Sequence, residues 1–171
     1  MPVQPSAKRP VTVLAGTYGH PIHPILVTVP IGAWVSAFVF DAASHLVGNP
    51  EFLALGAMWL IALGVVGAAA AGMAGFLDLL AIPSGTPAHR TGLLHMTLNL
   101  LVTTSYLVNF LWRHAGEGPT GAVGAGPLAL NAVSLAVLAV SGYLGGRLAY
   151  RYGVRVVDEA TQAEGFAPHS R

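Results

Sequence analysis

The chain has 171 residues, 54% of them hydrophobic and only 9% charged, with a formal net charge of +1, whereas ordinary soluble domains are roughly 25% charged. Such a chain holds a handful of crossings of a hydrocarbon core about 30 Å thick, at about 20 apolar residues each, and leaves no length for a separate soluble domain. The small net charge, with no basic patch, makes nucleic acid a poor candidate partner, and the absence of cysteine removes disulfides, thiolate metal sites and cysteine-ligated iron–sulfur clusters.

Residues 1–19 are expected to be an uncleaved cytoplasmic tail, since Lys8 and Arg9 precede an apolar stretch too short for a signal sequence. A transmembrane domain over 20–150 follows, with apolar runs at 25–46, 52–82, 92–112 and 128–150, and then a second cytoplasmic tail over 151–171. Gly- and Pro-rich segments at 47–51, 82–90 and 114–127 break the runs. Lipid does not tolerate unpaired backbone amides, and the runs lack the alternation of barrel strands. The expected fold is therefore all-α, an integral membrane four-helix bundle.

Lys8, Arg9, Arg90, Arg147, Arg151 and Arg155 fall on one side of these spans and Arg113 on the other, so the positive-inside rule puts both termini in the cytoplasm. Trp112, Tyr150 and Tyr152 stand at run ends, where amphipathic rings favour the interface. The second run carries a small-residue seam, Gly64, Gly67, Ala68, Ala71 and Gly75, ending in Asp78. The third aligns His95, Asn99, Val102, Tyr106, Asn109 and Arg113 on one face, and the fourth aligns Asn131, Ser134, Leu138, Ser141, Gly142 and Gly145. Both faces should look inward.

The string GHPIHP at 19–24 is the most distinctive local pattern. Pro24 and Pro21 disfavour helical geometry at His23 and His20, which places His23 at or just before the first helix cap. A polyproline-like string would point His20 and His23 the same way, about 9 Å apart, flanking one site. Asp78, His89, Arg90 and His95 fall at the same level, with Asn99 one turn beyond His95 on its face. Ionisable groups inside a membrane are costly, so Asp78 and His95 are the principal candidates. Asp41 and His45 form an i,i+4 pair near the opposite surface, resembling a carboxylate that orients an imidazole, with His114 at a similar level. A plainer reading makes the histidines interfacial, His95 and Asn99 interhelical glue, and Asp78 a salt-bridge partner of Arg90 or Arg147. No hydrolase nucleophile elbow, Walker loop or zinc-protease motif is present.

HPIHPILVTVPIG with Asp41, then GFLDLLAIP at 75–83 with Arg90, His95 and Asn99, resemble an uncharacterised bacterial membrane family, domain of unknown function 2231. The resemblance covers roughly 19–150. Members of that family are sometimes joined to Rieske iron–sulfur domains, which implies a link to membrane electron transfer. Three functions follow as expectations. The first is a redox module, with b-type haem held by His95 and either His23 or His20, or a quinone at the same place bounded by Asp78, Arg90 and Asn99. The second is a proton or small-solute transport component, with a homodimer supplying further walls. The third is a non-catalytic membrane subunit.

Overall fold

The computed structural model of the chain describes residues 5–115 and 120–167. The middle of the predicted 114–127 loop, 116–119, and the tail ends 1–4 and 168–171 lie outside the described residues. The leading segment is folded. Two 3-10 turns, Pro5–Lys8 and Val13–Ala15, precede a minimal antiparallel pair, β1 (Gly16–Thr17) and β2 (His20–Pro21). Gly16 and Gly19 take left-handed φ values of 96° and 77° to make the turn, a conformation open to glycine at little cost. GHPIHP is therefore not a polyproline-like string. His20 pairs with Thr17 in the strand, while His23 opens a helix with Pro24 in its first turn, where the missing proline N–H has no helical partner to lose.

α1 (His23–Leu26) runs through Val27 into α2 (Thr28–Ser44). α3 spans Glu51–Leu80 and α4 spans Pro87–His114. α5 (Ala125–Gly146) continues into a π-helical turn, Arg147–Arg151, and a short α6 (Glu159–Glu164) follows. The start of α4 is fixed by Thr86, whose Oγ1 accepts the His89 N–H at 3.1 Å, with Pro87 behind it.

Three helical segments, His23–Ser44, Glu51–Leu80 and Ala125–Arg151, are long and apolar enough to cross a membrane. α4 has the length, 28 residues, but falls short in apolarity. The difference from the expected four spans comes from its hydroxyls, histidine and asparagines. Several of those hydroxyls already have partners: Thr91, Thr97 and Ser105 donate to the carbonyls of Pro87, Leu93 and Leu101, each at 2.9 Å.

α2 packs on α3, α4 on α5, and α3 on α4, while α2 also meets α5. At the centre, Trp34 stacks on Tyr106 with centroids 4.2 Å apart and planes 11° apart, among Ala37, Ala57, Ile61 and Val102. A Cβ at Gly64 would run into the Trp34 indole, so glycine there lets α2 and α3 close.

Three contacts between α1–α2 and α4 follow one rule. His23 meets His95, Trp34 meets Tyr106, and Asp41 meets Arg113, in that order along both helices and always 72 residues apart. The α1–α2/α3 pair and the α4/α5 pair are thus two copies of a helical hairpin, related by an approximate two-fold axis along the helices. The core residues lie on that axis.

Candidate functional site

The polar interior divides into two clusters at opposite ends of the axis. At the far end, Arg113 donates from Nη1 and Nη2 to the two carboxylate oxygens of Asp41, both at 2.7 Å. Asn131 Nδ2 donates to Asp41 Oδ2 at 2.7 Å and Tyr106 donates its hydroxyl to Asn131 Oδ1 at 2.9 Å. Asn109 accepts from Arg113 Nε at 2.7 Å and donates to the Pro127 carbonyl at 2.9 Å. Asp41 is fully buried and Arg113 nearly so. Two buried charges are tolerable only with this degree of mutual pairing. The expected Asp41–His45 pair does not form. His45 sits at the C-terminal end of α2, exposed, while Asp41 turns inward to the one guanidinium at its depth. His114 stacks on Phe110 at 5.6 Å, outside the network.

The near end brings His23 and His95 together, with ring centroids 6.4 Å apart and planes at 86°. Each ring is seated the same way. His23 lies over Gly75 of α3 and its Nδ1 is 2.8 Å from the carbonyl of Ala71, one turn earlier. His95 lies over Gly145 of α5 and its Nδ1 is 2.8 Å from the carbonyl of Ser141, again one turn earlier. A Cβ at either glycine would press on the ring, at 2.9 Å from His23 Cε1 and 3.1 Å from His95 Cε1. The two seats are equivalent under the pseudo-two-fold.

The seats also fix the protons. A carbonyl oxygen only accepts, so each Nδ1 carries hydrogen, and in the neutral imidazole Nε2 keeps its lone pair. Asn99 secures the second ring: its Nδ2 donates to His95 O at 2.9 Å and to Ser141 Oγ at 2.8 Å, and also lies 3.2 Å from His95 Nε2. Asn99 thus ties the His95 ring to α4 and α5 from one side.

Asp78 is buried beside this pair and joined to Arg155, with Nε 2.9 Å from Oδ1, an ion pair whose angles fall short of a hydrogen bond. Neither Arg90 nor Arg147, the partners expected for Asp78, takes this place; Arg90 is exposed. Arg155, from beyond α5, is itself in a left-handed conformation, φ 61°, and donates from Nη2 to the Ala15 carbonyl at 2.9 Å. Its own N–H bonds Ala7 O at 3.0 Å. The leading and trailing segments, expected as separate tails, thus close over the near end together. Tyr18 donates to Asp158 Oδ2 at 2.8 Å and Lys8 donates to Val157 O at 3.2 Å. His20 is exposed on this cap and His89 is held by its backbone at the start of α4, so neither joins the imidazole pair.

Of the expected site residues, His23, Asp78, His95 and Asn99 gather at the near end; His20, Arg90, Asp41 and His45 do not. Gly75, Ser141 and Gly145 were placed on inward faces and Arg155 among the cations of this side, but none was assigned to the site. The signal was a repeat, 72 residues for the axial contacts and 70 for the seats (Gly75 and Gly145, Ala71 and Ser141), masked because Trp34 answers Tyr106 and Asp41 answers Arg113 with unlike residues.

A family model described as a predicted membrane protein, DUF2231, matches residues 19–158. The chain belongs to this family. The DUF2231 match takes in both imidazoles, both polar clusters and Arg155, and begins just after the 3-10 turns of the leading segment. No curated protein and no solved structure matches the chain.

Proposed function

We propose that this DUF2231 protein is an inner-membrane redox module, a four-helix transmembrane bundle with both ends cytoplasmic, whose paired histidines are the axial ligands of a b-type haem. The observation that carries the reading is the donor set. Among the described residues no group of three or more His, Asp or Glu is arranged to hold a metal ion. Two neutral nitrogens are too few for a zinc site, which takes four protein ligands, or three and a water. Haem brings its own equatorial nitrogens and needs only two axial imidazoles.

His23 and His95, with ring centroids 6.4 Å apart, would be the two residues to hold the haem iron. Nδ1–H bonds to carbonyls orient the rings, as ligating histidines are usually oriented, and leave Nε2 for the metal. A bare Nε2 cannot donate to a quinone carbonyl, which favours haem over quinone at this place. When bound, haem would supply one-electron transfer. The chain's own part is to hold two imidazoles in one tautomer and to keep a buried cation, Arg155, and a carboxylate, Asp78, beside them. The interior polar groups are largely paired with one another, which speaks for a bound cofactor over a conducting path. The partner would be a membrane or surface electron carrier, a Rieske-type protein among the candidates.

Absorbance of protein purified from haem-replete cells tests this. A Soret band is expected, with the reduced spectrum of a six-coordinate low-spin haem, lost in both His23→Ala and His95→Ala and kept in His20→Ala. A featureless spectrum in the unmodified protein, or a band untouched by either substitution, overturns the reading.

A further inference from the structure

A second site lies on the outer face of α5, away from the imidazoles and independent of them. The π-helical turn Arg147–Arg151 bounds an open cavity of about 390 Å³ lined by Tyr143, Gly146, Arg147, Tyr150 and Arg151. Such turns recur at functional sites, because the extra residue per turn re-aims the side chains. Every other arginine lodged in the interior has a carboxylate: Arg113 has Asp41 and Arg155 has Asp78. Arg147 and Arg151 have none among the described residues. Arg147 is half-buried, its guanidinium sits 5.6 Å over the Tyr152 ring, and its Nε is enclosed without a hydrogen-bond partner.

The surface leading to this cavity is apolar. Val133, Val140 and Tyr143 are exposed at 61, 56 and 71% on a segment apolar enough to span a bilayer. At 100° per residue Val133 and Val140 lie almost in line with Arg147, with Tyr143 beside them. An acyl chain laid along Val133 and Val140 therefore brings its headgroup to Arg147. The exposed tyrosines, Tyr143 and Tyr150, stand where amphipathic rings mark the headgroup level.

We infer that the Arg147–Arg151 turn is a binding site for an anionic phospholipid, with the phosphate on the two guanidinium groups and an acyl chain along Val133 and Val140. Charge complementarity selects the occupant: two cations without a carboxylate, at the end of a lipid-facing stripe, match a phosphodiester tethered to hydrocarbon. A free phosphate would use the guanidinium groups and leave the stripe idle.

The test uses the full chain purified in neutral detergent, titrated with phosphatidylglycerol, with phosphatidylcholine and with glycerol 3-phosphate, reading lipid retention by native mass spectrometry and the melting temperature. Phosphatidylglycerol is expected to be retained and to raise the melting temperature, while the other two do neither. In Arg147→Gln/Arg151→Gln its affinity should fall about 30-fold, and in Arg151→Gln alone, a change at an exposed position, about fivefold. Equal binding of phosphatidylcholine overturns the site, as does retention unchanged in Arg151→Gln. A melting shift reproduced by glycerol 3-phosphate makes it a site for soluble anions and overturns the lipid assignment. These readouts do not depend on haem, so either proposal can fail alone.

Discussion

Asp41 is fully buried, and its burial is tolerable only because Arg113 and Asn131 together meet both carboxylate oxygens. Removing one member leaves the other charge in an apolar interior. Arg113→Gln is expected to lower the unfolding free energy in detergent by about 3–5 kcal/mol, and Asp41→Asn by a similar amount. Combining the two should recover part of the loss, because the uncompensated charge is then gone. A denaturant titration of the three variants measures this, and additive losses would show that the two side chains do not act as a unit. The pairing was half legible. Asp41 and Arg113 stand alone as charges at their depth, but the neighbour in sequence, His45, competes for the eye. Only a repeat read across unlike residues joins the true pair. Asp78 shows the reverse limit, since its partner Arg155 itself takes a left-handed conformation beyond α5, where no periodicity points anywhere.

At the level of elements, the cap over the near end is held by a short list of bonds centred on Asp158. Its carboxylate accepts the Thr161 N–H at 2.9 Å as the N-cap of α6, and the Tyr18 hydroxyl at 2.8 Å. The Thr161 amide first, then Tyr18, hold the carboxyl down to about 2 from an ordinary 3.8. A depressed folded-state value means the contribution is fully present above 3.8 and disappears as pH falls through 2. Amide exchange in α6 is therefore expected to show constant protection from neutral pH down to that range and to lose it below. Tyr18→Phe should move the Asp158 midpoint upward, followed by the carboxyl shift in NMR. An unmoved midpoint would mean that the hydroxyl does nothing for the carboxylate. The long helices were legible within a few residues, three from apolar length and α4 from its one-sided polar face between Gly- and Pro-rich breaks. The cap was not, because its contacts are single hydrogen bonds between segments that read as polar tails.

For the whole molecule, the asymmetry of cations and the pseudo-two-fold are separate facts with one outcome. Parallel hairpin copies put both histidines at the same end, and the cations beside that end favour the cytoplasmic side. The chain has no cysteine, so single thiols report position without background. Ser6→Cys is expected to resist a membrane-impermeant maleimide in intact cells and Gly48→Cys to react, with the pattern reversed in inside-out vesicles. Equal labelling of both from outside would refute the arrangement. Membrane residence was legible from composition, and the meeting of His23 with His95 from their shared depth. What composition left out was the symmetry, which only the paired contacts along the axis reveal.

The Asp78–Arg155 pair has a bearing on biogenesis. A ribosome makes the carboxylate long before the guanidinium, and the hairpin carrying Asp78 can enter the bilayer while its partner is still unsynthesised. During that interval the carboxyl group lacks its counterion, which is costly in hydrocarbon. Maturation of the near end is then a late event, completed when Arg155 and the Tyr18–Asp158 latch fold in over helices already inserted, so truncated nascent chains should carry an open, protease-sensitive mouth that the finished protein lacks.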